Sequence, residues 1–583
     1  MAKHLSRNIL KQMSSLMISN VKVNCPSAST TASDSTSVML KTNISCPVVH
    51  KTCTQSARHI NYAITGCPVT GAKSLSPEIP TTKTNQVLPY ESLPTPKGLP
   101  LIGTLFDLIR SGGAQYTHLY CDRRHHELGP IYKETLGNVE AVFIADAALM
   151  QKVYQFEGKY PQHMVPEPWI IYNEINGIKR GLFFMDGPEW SERRKSLNKV
   201  FLKSPTISEY SDIFNSVATD FVHNWDQLFT GNNGQSSDNA LVTKLEKELY
   251  NWSIESLGTM IFGRRLGCIP MPNTGASDDT QKPMTNIHEF VHCVQQIFVE
   301  SANMQLIPPK LAFKLNLPVW RRFVDAAGKA LNLARSYVNE NVEQIKKEQT
   351  MNKQCDRMTG QGIIRELLEE GTIDHEEIVR IIVDLFIAAA DTTSHATQWA
   401  LYLLARNPEC QQKMLDEINS VTGGQIVEES HLPQLSYIKG VIKESLRLYP
   451  VAPFLSRYMS QDLELSGYDI PSGKLVIMSL YTTGRKSEYF TNPNKFLPER
   501  WLRDKQSSNY QAINTHACLP FGLGVRSCIG RRVAEIQMQF LLSRIIQKFH
   551  LSSTADKEIG IKLRMITTPE QPIHLSIKKR NSI

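Results

Sequence analysis

One cysteine in this sequence has neighbours suited to holding a metal. Cys528 ends the stretch "FGLGVRSC", in which Gly522 and Gly524 let the backbone turn tightly or approach a flat ligand, while Arg526 offers a cation to an anionic group of the same ligand. The next residues, "IGRRVAEIQMQFLLSRIIQKF", have helical spacing, so the sulfur lies at a helix start, where free amides and the dipole favour a thiolate. A lone cysteine is more often an ordinary core residue, so the assignment depends on the whole arrangement.

The ten residues from Phe521 to Gly530 resemble the haem-binding signature of the cytochromes P450. All five fixed positions of that signature are matched, by Phe521, Gly524, Arg526, Cys528 and Gly530. The resemblance implies haem b as the cofactor, Cys528 as the ligand of its iron, and Phe521 and Arg526 as further cofactor-binding residues. It also implies the P450 prism fold, which is mainly α with a small β region.

A second motif concerns the propionate groups of the implied haem. The stretch "PEWSERR" is similar to the Trp-x-x-x-Arg motif of the P450 family, which places Trp190 and Arg194 at a propionate. Arg457, in "VAPFLSR", occupies the family's other propionate-contacting arginine position. We therefore expect all three residues to bind the cofactor.

A third motif joins two segments. "KESLRLYP" gives Glu444 and Arg447, which lie three apart and so project from one face of a helix, and "LPERW" gives Arg500. A lone Glu-x-x-Arg is usually a solvated surface pair. The resemblance implies instead that the three residues form a buried ion-pair network under the haem.

The segment "AAADTT" places an acid and a hydroxyl next to small side chains. Ala388 and Ala389 leave room beside a helix for dioxygen and substrate, and Asp391 and Thr392 stand next to that gap. Splitting dioxygen requires two protons, so we expect Asp391 and Thr392 to take part in their delivery. Without the other motifs, the pair would be an ordinary feature of a helix.

These residues require a mostly helical framework. The largely apolar stretch over residues 363–406 predicts a long helix that runs through the core. "PIYKETLGNVEAVFIAD" predicts a hairpin with its turn at Gly137 and Asn138. Short strands are predicted in "LELSGYDIPSGKLVIMSLY", with turns at Gly467 and at residues 471–473, and a polar loop is predicted over residues 272–286.

Positive charge is concentrated at the N-terminal end. Residues 1–77 hold eight Lys or Arg and one acidic residue, whereas the whole chain carries a net charge of +8, so the remainder is almost neutral and shows no nucleic-acid footprint. The Ser- and Thr-rich, acid-poor composition is typical of a mitochondrial transit peptide. We predict a transit peptide and leader over 1–80 and a P450 domain over 81–583. The eleven scattered cysteines fit a reducing compartment.

Two lysines suggest the electron donor. Lys439 and Lys443, in "YIKGVIKESLRLYP", lie four apart and resemble the ferredoxin-docking lysines of the mitochondrial P450 clan, which "CIGRRVAE" also resembles. The resemblance implies an adrenodoxin-like ferredoxin as partner and a location on the matrix side of the inner mitochondrial membrane. No run of about 20 apolar residues predicts a membrane span. We expect peripheral association, through the apolar stretch over 305–320.

The combined motifs predict a monooxygenase that uses dioxygen to hydroxylate a lipophilic substrate. "RGLFFMDGPEWSERRKSLNKVFL" is similar to the corresponding stretch of the insect ecdysteroid 2-hydroxylases, which convert 2-deoxyecdysone to ecdysone, so a steroid is expected. By analogy with the fold, substrate-facing positions are predicted at 161–185, 384–392, 451–456 and 565–568. Three alternatives stay open: another mitochondrial hydroxylase of sterols or xenobiotics, an oxygen-independent P450-like isomerase or lyase, and a non-catalytic haem binder.

Overall fold

The computed structural model describes ten segments of the 583-residue chain: residues 87–137, 139–178, 181–201, 210–229, 237–270, 286–304, 307–350, 362–371, 373–502 and 514–580. The predicted leader lies outside the described residues. The same is true of residues 272–285 in the predicted polar loop, which lies between a helix that ends at Phe262 and one that begins at Ile287.

Helices make up most of the described chain. In chain order the α-helices are α1 (Leu105–Arg110), α2 (Thr117–Leu128), α3 (Ala147–Gln155), α4 (Glu167–Ile175), α5 (Gly187–Phe201), α6 (Ser211–Gln227), α7 (Leu245–Phe262), α8 (Ile287–Asn303), α9 (Pro309–Lys314), α10 (Pro318–Thr350), α11 (Ile363–Glu370), α12 (His375–Arg406), α13 (Pro408–Thr422), α14 (Ser436–Leu448), α15 (Leu480–Thr483) and α16 (Arg531–Lys548). In the described segments, no helix is both long and apolar enough to cross a membrane.

The strands form small sheets at the edge of this helical body. They are β1 (Ile131–Leu136), β2 (Val139–Ile144), β3 (Asn239–Val242), β4 (Phe454–Tyr458), β5 (Leu463–Leu465), β6 (Tyr468–Ile470), β7 (Leu475–Ser479), β8 (Phe549–Ser553), β9 (Ile561–Arg564), β10 (Ile566–Pro569) and β11 (Leu575–Lys579). One sheet has the order β1-β2-β7-β4, another β3-β11-β8, and two hairpins pair β5 with β6 and β9 with β10. The mainly α fold with a small β region is confirmed.

Helix α12 runs through the core, as its apolar sequence predicts. It begins after Asp374, whose side chain accepts a hydrogen bond from the backbone N–H of Glu377 at 2.8 Å and so caps the first turn. From Thr393 to Ala405 every side chain is buried, because α7, α10, α14, α16 and β8 pack around it. Residues placed on this helix are therefore held rigidly inside the protein.

The local predictions are mostly confirmed. Strands β1 and β2 pair antiparallel with Ile131 opposite Ile144, and Gly467 and Gly473 adopt φ values of 82° and 80° at the predicted turns. The single helix predicted over 363–406 is wrong, because it is two helices, α11 and α12. Gly371 has a φ of 63°, the left-handed conformation that commonly ends a helix.

Candidate functional site

The loop before α16 fixes Cys528 through backbone hydrogen bonds. The N–H of Cys528 donates to the carbonyl of Phe521 at 2.8 Å, and that of Ser527 donates to the carbonyl of Gly524 at 3.1 Å. Gly524 has a φ of 75°, and a Cβ at this position would lie 2.0 Å from Oε1 of Glu157. Both the conformation and the approach of Glu157 therefore require glycine.

Cys528 is accessible even though it lies deep in the protein. Its side chain is exposed, yet burial raises the pKa of its thiol above the usual range, against the lowering effects of the Gly530 N–H, Arg194 and Arg531. Burial therefore opposes the thiolate that the helix start is predicted to favour, and a coordinated cation would favour loss of the proton.

A gap for dioxygen and substrate is predicted beside Ala388 on α12. Ala388 is accessible, whereas Phe386 and Ala390 on either side of it are completely buried. The Thr392 hydroxyl donates to the carbonyl of Ala388 at 2.7 Å. Burial raises the pKa of Asp391, so this carboxyl holds a proton more strongly than an exposed aspartate does. The small side chain, the hydroxyl and the acid are thus gathered on one segment of the helix.

Three arginines form a cluster, which we call the arginine cluster, next to the cysteine loop. Nη2 of Arg194 donates to the carbonyl of Ser527 at 2.6 Å, Nε of Arg457 donates to Oε2 of Glu157 at 2.6 Å, and Nη2 of Arg526 donates to Oδ1 of Asp186 at 2.7 Å. Their charges repel one another. Burial, Arg457 and Arg194 together lower the pKa of Arg526 to about 10 despite Asp186 and Glu157.

The arginine cluster carries more positive than negative charge. Among the described residues, the carboxylates of Glu157 and Asp186 form ion pairs with two of the three guanidinium groups, those of Arg457 and Arg526. The side chains of Arg457 and Arg526 are each 6% exposed, so water does little to offset the excess. Buried cations without full compensation are costly, which makes this cluster a site for an anionic group.

Aromatic groups border the arginine cluster. The guanidinium carbon of Arg526 lies 4.1 Å from the centre of the Trp190 ring, a cation–π contact. Both ring nitrogens of His163 are shielded from solvent and have no hydrogen-bond partner among the described residues. Burial and the charges of Arg526 and Arg457 lower the pKa of His163 to about 3, so the ring is neutral.

The predicted ion-pair network is confirmed. Arg447 donates to both oxygens of Glu444, at 2.9 and 2.7 Å, and Nε of Arg500 donates to Oε1 of Glu444 at 2.9 Å. All three residues are buried, and Nε1 of Trp501 adds a fourth bond to the same carboxylate at 2.9 Å. This carboxylate ties α14 to the segment over residues 498–501.

Comparison with known proteins agrees with this geometry. The family model described as Cytochrome P450 matches residues 93–577 of the chain. "Cytochrome P450 315a1, mitochondrial" of Drosophila melanogaster is 36% identical over 500 residues, which cover 84% of this chain and 89% of the relative. The chain belongs to the cytochrome P450 family.

Two other P450 relatives extend the comparison. "Cytochrome P450 10" of Lymnaea stagnalis is 33% identical over 85% of this chain and 87% of its own length. "Sterol 26-hydroxylase, mitochondrial" of Rattus norvegicus is 31% identical over 83% of this chain and 88% of its own length. The chain is therefore a P450 monooxygenase similar to enzymes named as mitochondrial, one of which is named as a sterol hydroxylase.

The described residues fit haem b, the cofactor of the P450 family. An accessible thiol suits a haem iron, and the excess charge of the arginine cluster suits two propionates. When bound, the haem supplies the iron at which dioxygen is reduced and activated, and a thiolate ligand favours cleavage of the O–O bond.

Several site residues carry no signal in the sequence. Glu157 and Asp186 pair with arginines that lie hundreds of residues away in the chain, and Glu246 and His395 approach the same segment from different helices. Their positions become meaningful only when tertiary contacts bring them together. Asp186 differs only in that it directly precedes α5, a position that is common for acidic residues.

Proposed function

We propose that this P450 is a mitochondrial steroid hydroxylase, and that it converts 2-deoxyecdysone to ecdysone by hydroxylation at carbon 2. One observation carries the proposal. Cys528, in the loop before α16, and Ala388, on α12, are both accessible, and α12 and α16 pack against each other in the same hydrophobic core. The similarity of "RGLFFMDGPEWSERRKSLNKVFL" to the insect ecdysteroid 2-hydroxylases supports the particular substrate.

In this proposal the cofactor is held at three places. Cys528 is the ligand of the iron, and Phe521, whose carbonyl accepts from the Cys528 N–H, shapes the loop around it. Arg194, Arg457 and Arg526 bind the propionates. Trp190 supports Arg526 through the stacking contact between its ring and the guanidinium.

Asp391 and Thr392 are proposed to deliver protons. The raised pKa of Asp391 lets the carboxyl hold a proton at a pH where an exposed aspartate would have lost it. The Thr392 hydroxyl donates to the Ala388 carbonyl, so its oxygen can accept a hydrogen bond from the acid or from water. The balanced reaction uses two protons and two electrons, places one oxygen atom in the substrate and releases the other as water.

The proposed electron donor is an adrenodoxin-like ferredoxin that docks at Lys439 and Lys443. Lys443 is exposed, whereas Lys439 is half-buried and its Nζ donates to the carbonyl of Pro433 at 3.0 Å. Burial lowers the pKa of Lys439. Lys443 is therefore better placed to meet an acidic partner, with Lys439 contributing less.

We also propose peripheral association with the matrix side of the inner mitochondrial membrane. Phe313 and Leu315, in and just after α9, are 39% and 60% exposed, and both lie within the apolar stretch predicted to meet the bilayer. The mitochondrial names of the relatives support the compartment.

Reconstitution tests the proposed function. The purified holoenzyme, with a mitochondrial ferredoxin and its reductase, should convert 2-deoxyecdysone to ecdysone only when oxygen is supplied. A spectral titration should show tighter binding of 2-deoxyecdysone than of cholesterol. Preference for another sterol would reject the substrate, and turnover without oxygen would indicate an isomerase or lyase.

A further inference from the structure

A strip of polar residues lies on α7 where that helix packs against α12. Glu246, Tyr250 and Ser253 are spaced by four and three, so they share one side of α7. The Ser253 hydroxyl donates to the backbone carbonyl of Ala389 at 3.2 Å. The strip therefore meets α12 at the segment that contains Asp391.

His395 continues this strip on α12, one turn after Asp391. It is 4% exposed, and its Nδ1 lies 2.8 Å from the backbone carbonyl of Asp391, so Nδ1 carries a hydrogen and donates it. This bond leaves Nε2 as the basic nitrogen. Among the described residues Nε2 has no hydrogen-bond partner, and Oε1 of Glu246 lies 3.9 Å from it.

The groups that act on Asp391 come from three elements. From its own helix, His395 lowers the pKa of Asp391; from α7, Glu246 raises it; from β9, Arg564 lowers it. Burial, and after it the Asp391 charge, raise the pKa of Tyr250, whose hydroxyl has no partner among the described residues. An acid, an imidazole and an unpaired hydroxyl therefore lie around one buried carboxyl.

The same strip reaches solvent at its other end. The side chain of Glu246 is 57% exposed, whereas that of His395 is 5% exposed. The strip therefore joins an acid in contact with solvent to an imidazole that is almost completely buried.

We propose that Glu246 and His395 form a proton-entry route from solvent to Asp391, with the Tyr250 hydroxyl lining it. This inference rests on the proposed role of Asp391 in proton delivery. Glu246 takes a proton from solvent, and Nε2 of His395 accepts it across the 3.9 Å separation through a bridging water. The resulting imidazolium then gives a proton from Nε2, again through water, to the Asp391 carboxylate. Nδ1 keeps its own hydrogen throughout, so each passage moves one proton, transfers no electrons and returns His395 to its neutral form.

A structural role for His395 is the competing explanation, since the bond from Nδ1 to a carbonyl one turn earlier also satisfies a buried imidazole. Two variants separate the explanations. His395→Gln keeps a polar side chain but cannot cycle a proton, and Glu246→Gln changes a largely exposed residue without altering its shape. His375→Gln is the matched control, because His375 lies on the same helix, is half-buried, and bonds to Asn339 at 2.7 Å, away from the strip.

The experiment uses the reconstituted holoenzyme and two readouts. The first is the fraction of electrons that appears in product rather than in hydrogen peroxide. The second is the rate at which the Asp391 carboxylic proton exchanges in D₂O, followed through its infrared carbonyl band and assigned by the loss of that band in Asp391→Asn. This second readout does not depend on turnover.

Positioned proton-transfer groups contribute about 10²–10⁴-fold to rates, so we expect exchange to slow roughly tenfold or more in His395→Gln. Glu246→Gln should slow it in the same direction. Because the two residues act in series, the double variant should be no slower than His395→Gln. Product yield per electron should fall in both single variants and stay unchanged in His375→Gln.

Wild-type exchange rates in both His395→Gln and Glu246→Gln would overturn the route. Lost coupling with unchanged exchange would also overturn it, since it would show His395 to be purely structural. If Asp391 does not deliver protons at all, the result is different: Asp391→Asn would then keep the wild-type fraction of electrons in product. Should His395→Gln fail to fold, the exposed Glu246→Gln still decides the question.

Discussion

Nε of Arg457 donates to Oε2 of Glu157 at 2.6 Å, and both side chains are 6% exposed. Removing one partner from such a buried pair leaves an uncompensated charge, which costs about 3–5 kcal/mol. We therefore predict that Arg457→Ala lowers the free energy of unfolding by about this amount and speeds the transfer of haem to apomyoglobin.

Arg335→Ala is the control for this prediction. Arg335 pairs with Glu376 at 3.1 Å, but on the surface, with side chains 41% and 52% exposed. Surface pairs contribute about 0–1 kcal/mol. If urea denaturation shows equal losses for the two variants, Arg457 has no special place in the site.

Cys528→His should abolish the thiolate-type absorption band of the reduced carbon monoxide complex, and oxygenation with it, because imidazole donates less charge to iron than thiolate does. Cys518→Ser, ten residues earlier in the chain, should keep both. An active His variant with an unchanged band would show that another residue binds the iron.

Thr392→Ala should divert electrons from product to hydrogen peroxide while haem content stays the same, because the variant loses the hydroxyl beside Ala388 but no contact with the cofactor. Thr397→Ala provides a matched control, since its hydroxyl also donates to a carbonyl four residues earlier, at 2.8 Å, but farther along α12. Equal peroxide yields in the two variants would contradict the proposed role of Thr392.

The double variant Lys439→Gln/Lys443→Gln should raise the ferredoxin concentration required for half-maximal turnover and flatten its dependence on salt. Exposed charges attract a partner over a range that shortens to about 8 Å at physiological ionic strength. Because Lys443 is the more exposed, Lys443→Gln alone should give most of the effect. Lys329→Gln, an exposed lysine on α10, should change nothing. Better turnover with a microsomal flavoprotein reductase would reject ferredoxin docking.

Asp384 gives the protein a predicted pH dependence. Burial raises its pKa to about 7, against the lowering effects of the Phe183 N–H and Arg380, whereas an unfolded aspartate titrates near about 3.9. Between these values the folded chain keeps a proton that the unfolded chain has lost. Stability should therefore fall as pH rises from about 4 to about 7, with a slope of up to about 1.4 kcal/mol per pH unit from this group.

The side chain introduced in the Asp384→Asn variant cannot ionise. As pH rises from about 4 to about 7, the free energy of unfolding of this variant should therefore increase relative to that of the wild type. Urea unfolding at several pH values measures the difference. Asp325→Asn, at an exposed position on α10, serves as the control and should leave the slope as it is. A constant difference between wild type and Asp384→Asn at all pH values would mean that Asp384 is already ionised when folded.

The sequence predicted the parts of the site whose residues lie close together in the chain. The cysteine loop, the hairpin β1–β2 and the pairing of Glu444 with Arg447 follow from local spacing and from the P450 resemblance. The break between α11 and α12 escaped prediction because apolar residues continue on both sides of it, and a single left-handed glycine, Gly371, ends the first helix.

The charge balance of the site could not be predicted in this way. Glu157 follows α3 and belongs to no motif. Its role comes from its bond to Arg457 of β4 and from its close approach to Gly524. His395 likewise gains its meaning from Glu246 on another helix. Such contacts depend on how elements pack, and one sequence does not encode them in any local pattern.

The hydrogen bond from Arg194 to the carbonyl of Ser527 joins residues 333 positions apart. Contacts between such distant residues form late in folding, because closing a long loop has a large entropic cost that must be overcome first. During synthesis the N-terminal part emerges first and waits for its partner. A growing chain therefore has no complete pocket until α16 has been made, and the cofactor enters a polypeptide that is already finished.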